Sequence, residues 1–272
     1  MDFGTRLIKR YPVAAFFTLT YAISWAVWVP LAVTQIDTPF YKIGAFGPTL
    51  AALLLTVLMS GRAGLKRLLR PLLTWRVHIG WYLFSFLITA VGALIAIGLH
   101  VWLGGARPTF NDPAQLYLVI PVFLYVLFTS VLGEEIGWRG YALPRLQARH
   151  SALHASLILG LVWGAWHLPL FWMAGNFHQQ IPISLFLLQT TGFSILYTWM
   201  YNHTRGSLLL AHLFHAASNT TIGVLPVLPM DTGGSLRPLW LVVGLLWSVA
   251  LIVVARYGPK RLSHTRHNQA ST

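Results

Sequence analysis

Cysteine is absent from this 272-residue chain, and acidic residues are scarce: six Asp and Glu stand against nineteen Lys and Arg. The first absence excludes disulfide frameworks, thiolate metal sites and a cysteine nucleophile. Charged residues of both signs make up only 9% of the sequence while 56% is hydrophobic, against roughly 25% charged in an average soluble domain. A chain of this composition cannot cover a water-facing surface with polar groups, and it reads as a polytopic membrane protein. No Ser/Gly-rich linker interrupts it, so residues 1–272 are expected to form a single transmembrane domain.

What is abundant is long apolar sequence. Eight segments can cross about 30 Å of hydrocarbon at about 1.5 Å per residue, running approximately over 13–33, 43–60, 79–103, 116–134, 154–174, 181–201, 207–228 and 238–256. The fold expected is an all-α membrane bundle of about eight helices. The first segment follows Arg6, Lys9 and Arg10 but is too long for a signal-peptide core and lacks a small-x-small cleavage site, so it reads as an uncleaved helix.

The basic residues sort by side. Arg6, Lys9 and Arg10, the set Arg62, Lys66, Arg67, Arg70 and Arg76, then Arg139, Arg145, Arg149, Arg205, Arg256, Lys260, Arg261 and Arg266 all fall on the side of the amino terminus, leaving Lys42, Arg107 and Arg237 on the other. This positive-inside bias predicts cytoplasmic termini. It also accounts for the net charge of +13 without nucleic acid, because the cations are spread over loops; the expected electrostatic partner is anionic lipid at the cytoplasmic face. The stretch 61–76 alternates cations with Leu at helical spacing and is expected to lie along the inner interface. The twelve Trp read as interfacial belts or packing. The glycosylation-type matches at Asn202 and Asn219 read as chance, one cytoplasmic and one intramembrane.

An ionisable side chain within a bilayer is costly and marks function by default. The two glutamates of the chain, Glu134 and Glu135, are adjacent in "LGEEIGWRG", residues 132–140. On a helix Glu135 can pair with Arg139 four residues on, while Glu134 points about 100° away. Glu134 is then a desolvated carboxylate with no cation, suited to act as a general base. The plainer reading is that both balance inner-loop arginines. His167 lies in an apolar stretch before Pro169. His215 and Asn219 stand one turn apart, able to donate to a single oxyanion or to help hold a metal; His212 could share their face. Interhelical hydrogen bonding is the plainer use of such groups. No H-E-x-x-H occurs, yet Glu134, His167 and His215 could supply three ligands to zinc with water as the fourth, so metal dependence stays open.

Three stretches resemble one family. "EEIGWR" fits E-E-x-x-x-R, "WGAWH" fits [F/W]-x-x-x-H with a conservative Trp163, and "HAASN" fits H-x-x-x-[N/D], the motifs of the CPBP intramembrane proteases, which include type II CAAX prenyl endopeptidases and bacteriocin-immunity proteins. The motif core spans about 116–225. The resemblance implies an eight-helix fold in a bacterial cytoplasmic membrane, with a catalytic cavity open to cytoplasm and membrane. It implies water activated by Glu134 and His167, an oxyanion held by His215 and Asn219, and supporting roles for Glu135 and Arg139. By depth, His167 and His215 are expected to converge in the inner half of the membrane, with Glu134 near the inner boundary. Two rivals remain: a catalytically idle immunity or scaffold protein, and a proton-coupled transporter, for which the paired repeats and broken helices are missing. A serine protease is weaker, since "GFSI" at 192–195 lacks the second glycine of a nucleophile loop.

Overall fold

The structure, a computed structural model, describes residues 3–108 and 117–263; Leu116, where the fourth segment is expected to begin, and Arg266 of the basic tail lie outside them. Among the described residues the regular structure is entirely helical: α1 (Phe3–Arg10), α2 (Pro12–Thr34), α3 (Gly47–Leu69), α4 (Ile79–Trp102), α5 (Val119–Thr129), α6 (Leu143–Gln147), α7 (Ala152–Trp166), α8 (Ile183–His203), α9 (Leu208–Val224) and α10 (Arg237–Tyr257). Seven helical stretches are long and apolar enough to cross a membrane, and a bent pair, Val119–Gly133 with Ile136–Gln147, makes an eighth. The protein is an integral multi-pass membrane protein. Its outward faces are greasy, as lipid requires: Leu83, Leu87 and Leu94 on α4 and Leu251 and Ile252 on α10 are each about half exposed or more.

Local chemistry sets the boundaries. Ser151 and Ser207 accept hydrogen bonds from the backbone N–H groups of His154 and Leu210, capping α7 and α9. Pro12 opens α2, and Gln35 ends it in the left-handed region. α7 stops at His167 because Pro169, two residues on, cannot continue the ladder. α3 breaks at Gly61, whose φ of 56° suits glycine. Beyond that break Arg62, Lys66, Arg67 and Arg70 are exposed while Leu68 is buried, so the helical spacing of cations and Leu expected for 61–76 is realised as far as Leu73.

The fourth segment departs most from expectation. Instead of one straight helix, α5 gives way to a 3-10 turn (Val131–Gly133) and a π-helix (Ile136–Ala142), with a bend of 43°. Glu134 and Glu135 occupy the break. Gly137 permits it: a Cβ there would lie 2.5 Å from the Pro48 carbonyl oxygen, so the bent segment can press against the start of α3. The chain continues from Glu134 to Gln147 before it leaves the bundle, so Glu134 lies inside it and not near the inner boundary as the sequence suggests.

Loop-to-loop hydrogen bonds close both ends. At the end where α1 begins and α10 finishes, Ser207 donates to Thr74 O, Ala152 N to Lys260 O, and Asn202 Nδ2 to Arg261 O. At the opposite end Gln35 Nε2 donates to Trp172 O, Arg237 Nη1 to Leu103 O, and Met230 N to Gln180 Oε1. Between them, Trp28, Trp138 and Trp166 form a fully buried cluster of tilted and edge-to-face rings with Phe16, centroids 4.5 to 5.7 Å apart.

Candidate active site

The break between α5 and the π-helix sends the two adjacent carboxylates in different directions. Glu135 is fully buried; its Oε1 accepts from Arg139 Nη1 at 2.8 Å and from His215 Nδ1 at 2.7 Å. Arg139, also fully buried, has no other hydrogen-bond partner on Nε or Nη2 among the described residues. Its guanidinium lies instead between two aromatic faces, 3.8 Å from the Tyr197 centroid and 4.4 Å from that of Trp163. Aromatic quadrupoles can stand in for missing acceptors where water is excluded. The pairing of Glu135 with Arg139 expected from helical spacing is present, although the backbone between them is a π-helix.

Glu134 makes no such ion pair among the described residues. It is buried, and its Oε2 accepts from the indole Nε1 of Trp163 at 2.8 Å. Trp163 thus donates to one carboxylate, stacks on the arginine that neutralises the other, and sits edge-on to His167 and His215, with centroids 5.9 and 5.4 Å away. Read from sequence it was a conservative motif residue with no chemistry assigned to it; in the structure its contacts make it the hub of the site. A Phe at this position would keep the ring and lose the N–H, so the two residues that the motif allows are not chemically equivalent here.

His167 Nδ1 lies 2.8 Å from the Trp163 carbonyl one turn back. A carbonyl only accepts, so Nδ1 carries the proton and Nε2 of the neutral ring holds a lone pair. His167, Glu134, His215 and Asn219 line one cavity of about 120 Å³, so the four residues singled out from three motifs come together. His212 does not join them. Its Nδ1 bonds to Leu208 O one turn back, and its Nε2 is buried without a partner among the described residues.

The cavity contains a third imidazole that sequence reasoning missed. His178, in the short 3-10 turn Phe177–Gln180 between α7 and α8, stacks on His167 with centroids 5.5 Å apart and planes 28° apart. Asn176 Oδ1 holds its Nδ1 at 2.7 Å. Burial, and then the neighbouring His167, keep the His178 imidazole well below its ordinary pKa and therefore neutral. The available signal was the Asn-x-His spacing of an Asx turn between Gly175 and Pro182, a pattern too common to carry weight alone.

As for metal, among the described residues no three His, Cys, Asp or Glu side chains come close enough together to hold an ion. The set Glu134, His167 and His215 therefore does not fit a three-ligand zinc site as arranged.

Fold and site define a class: a multi-pass membrane protein with a polar, histidine-lined cavity within its helical bundle. Comparison with known proteins is more specific. Residues 116–221 match the family described as Type II CAAX prenyl endopeptidase Rce1-like. The CAAX prenyl protease 2 of Methanococcus maripaludis is 26% identical over 227 residues, covering 77% of this chain and 83% of that protein. Both matches make the chain similar to the CPBP/CAAX family of proteases.

Proposed function

We propose that the protein hydrolyses a peptide bond in a membrane-associated or lipidated peptide or protein, using water activated by Glu134 and His167. The observation that supports this best is the meeting of Glu134, His167, His215 and Asn219 in one cavity. In this reading the scissile carbonyl lies between Asn219 and His215, and Glu134 takes a proton from water, which also donates a hydrogen bond to the Nε2 lone pair of His167, as the water oxygen attacks the carbonyl carbon. The tetrahedral oxyanion accepts from Asn219 Nδ2 and His215 Nε2. For His215 to donate from Nε2 while Nδ1 donates to Glu135, its ring must carry both protons, and the Glu135 carboxylate at 2.7 Å is the counter-ion for that imidazolium. Collapse of the intermediate breaks the C–N bond, and the proton taken from water passes to the departing amine.

Glu135 and Arg139 serve as support, fixing the His215 ring. The site of action is a bacterial cytoplasmic membrane, with the basic end of the bundle against anionic lipid. A lipidated substrate, prenylated or otherwise, is the reading that the relative's name brings to this chain.

The test is membrane proteomics of a knockout complemented with wild type or with Glu134→Gln. Peptide termini that need the carboxylate identify substrates; identical termini in both strains would point to the idle immunity or scaffold role. Turnover of a substrate found in this way, measured after exhaustive chelation alongside elemental analysis, decides metal dependence. Retained turnover supports the Glu/His-activated water, and chelator-sensitive turnover with stoichiometric zinc overturns it.

A further inference from the structure

Two sequence expectations conflict in this fold. The positive-inside bias puts both termini in the cytoplasm, while the family resemblance has the cavity open to the cytoplasm, and the cavity mouth lies at the end of the bundle opposite the termini. We infer that the cavity opens on the extracytoplasmic face, so that the peptide cut here enters from outside the cytoplasm.

The direction of the cavity follows from its lining. Its deep end is made by Glu134, Tyr197 and His215, and its other end by Tyr41, Lys42 and Phe177. Tyr41 and Lys42 belong to the turn between α2 and α3, and Phe177 to the turn between α7 and α8. These turns lie at the end opposite α1, the same end that Gln35 and Trp172 stitch together. Phe177 is 40% exposed, and Tyr41 and Lys42 are partly so. His167 follows the last residue of α7, about 22 Å from that helix's start at about 1.5 Å per residue, so it stands in the half of the bundle remote from the termini. Toward the termini the way is shut, since Trp138, Arg139, Tyr141 and Leu210 have no exposed surface and Tyr197 has 1%.

The direction of the bundle follows from charge. Apart from the buried Arg139, fourteen of the described Lys and Arg lie in the helix ends and loops on the terminal side, among them Lys9, Arg70, Arg149, Arg205 and Lys260. Among the described residues the mouth side has only Lys42, Arg107 and Arg237, together with Asp37 and Asp231. A bias of this size in short loops sets the orientation of multi-pass proteins, and carboxylates contribute little to it. The terminal side is therefore cytoplasmic and the mouth is not. The substrate class implied is an exported peptide, or one anchored in the outer leaflet, whose cleavage point reaches down among the helices.

The inference rests on the proposed catalysis only in naming what enters, and it can be read without any cleavage. The chain has no Cys, so single cysteines can be placed directly: Phe177→Cys and Ile36→Cys on the mouth side, His150→Cys on the terminal side, and Ser130→Cys within the cavity wall. Right-side-out and inverted membrane vesicles from an expressing bacterium would be treated with a membrane-impermeant charged maleimide, and Ser130→Cys with a small charged methanethiosulfonate. Phe177→Cys and Ile36→Cys should be modified in right-side-out vesicles and His150→Cys in inverted ones. Ser130→Cys should follow the mouth-side pair, with labelling lost in inverted vesicles. The reverse pattern, or equal labelling of one position from both faces, would overturn the orientation. Ser130→Cys that reacts only with His150→Cys, or from neither face, would overturn the mouth even if the orientation stood. A failure of the catalytic reading would leave all four labelling results unchanged.

Discussion

The site has two regions built on opposite rules, a floor beneath the cavity and the wall that lines it. In the floor, Glu135, Arg139 and His215 are joined at 2.7 and 2.8 Å, and the arginine is held between Trp163 and Tyr197. In the wall, Glu134 has one indole N–H, His167 and His178 are each tied through Nδ1, and Asn219 lines the space. Buried charge in the floor is neutralised locally, which is what keeps a carboxylate and a guanidinium tolerable inside a membrane bundle. Groups in the wall keep a free atom each, and free donors and acceptors are what chemistry needs. The Glu135–Arg139 pair of the floor should therefore govern folding, and the wall, together with the Nε2 of His215, should govern turnover. Substitution on either side can break that division.

The largest effect is expected at Glu134. Glu134→Gln keeps volume and an acceptor for Trp163 but removes the base, so turnover should fall by about 10²–10⁴, the usual range for general-base catalysis, with membrane abundance unchanged. Near-normal turnover would remove Glu134 from the chemistry. Glu135→Gln is the matching change in the floor. It leaves the Arg139 cation buried without its carboxylate, and breaking such a pair typically costs about 3–5 kcal/mol. Abundance and thermal stability in detergent should drop, and turnover per folded molecule should drop less. Full stability with lost turnover would make Glu135 a wall residue and erase the distinction.

Asn219→Ala tests the wall from the oxyanion side. Losing one such donor costs about 3–4 kcal/mol, or 10²–10³ in kcat, with little change in KM because the partner exists only in the transition state. A rise in KM at unchanged kcat would instead make Asn219 a substrate-binding group.

Much of this division could be read in the sequence, and what could not has physical causes. The spans were legible because lipid-facing sequence is continuous and apolar, and seven helical stretches and a bent eighth follow the expected order. The partnership of Glu135 with Arg139 was legible because four-residue spacing survives the local switch to a π-helix. The bend itself was not, since it depends on Gly137 meeting the backbone of Pro48, a contact across the fold. His178 was hidden for the same reason: it lies in a turn without periodicity and reaches His167 only through tertiary stacking. Depth misled at Glu134, because the chain turns inside the bundle where an unbroken helix would have reached its edge.

Trp163 belongs to both regions, and it sharpens the comparison most finely. Its ring supports the floor by covering Arg139, and its N–H serves the wall by holding Glu134 Oε2 at 2.8 Å. Trp163→Phe separates the two, because the aromatic face remains and the donor is lost. A hydrogen bond to a charged group contributes about 1.5–3 kcal/mol, and each 1.4 kcal/mol is about tenfold, so kcat should fall by about 10–10² with KM and abundance nearly constant. This is a smaller loss than that from removing the base, since Glu134 is still present and only its orientation is less restrained. Trp163→Leu, which removes the ring as well, should add the loss of abundance expected of the floor. If Trp163→Phe left kcat untouched, the indole N–H would be only a packing convenience, and Glu134 would be positioned by the bend alone.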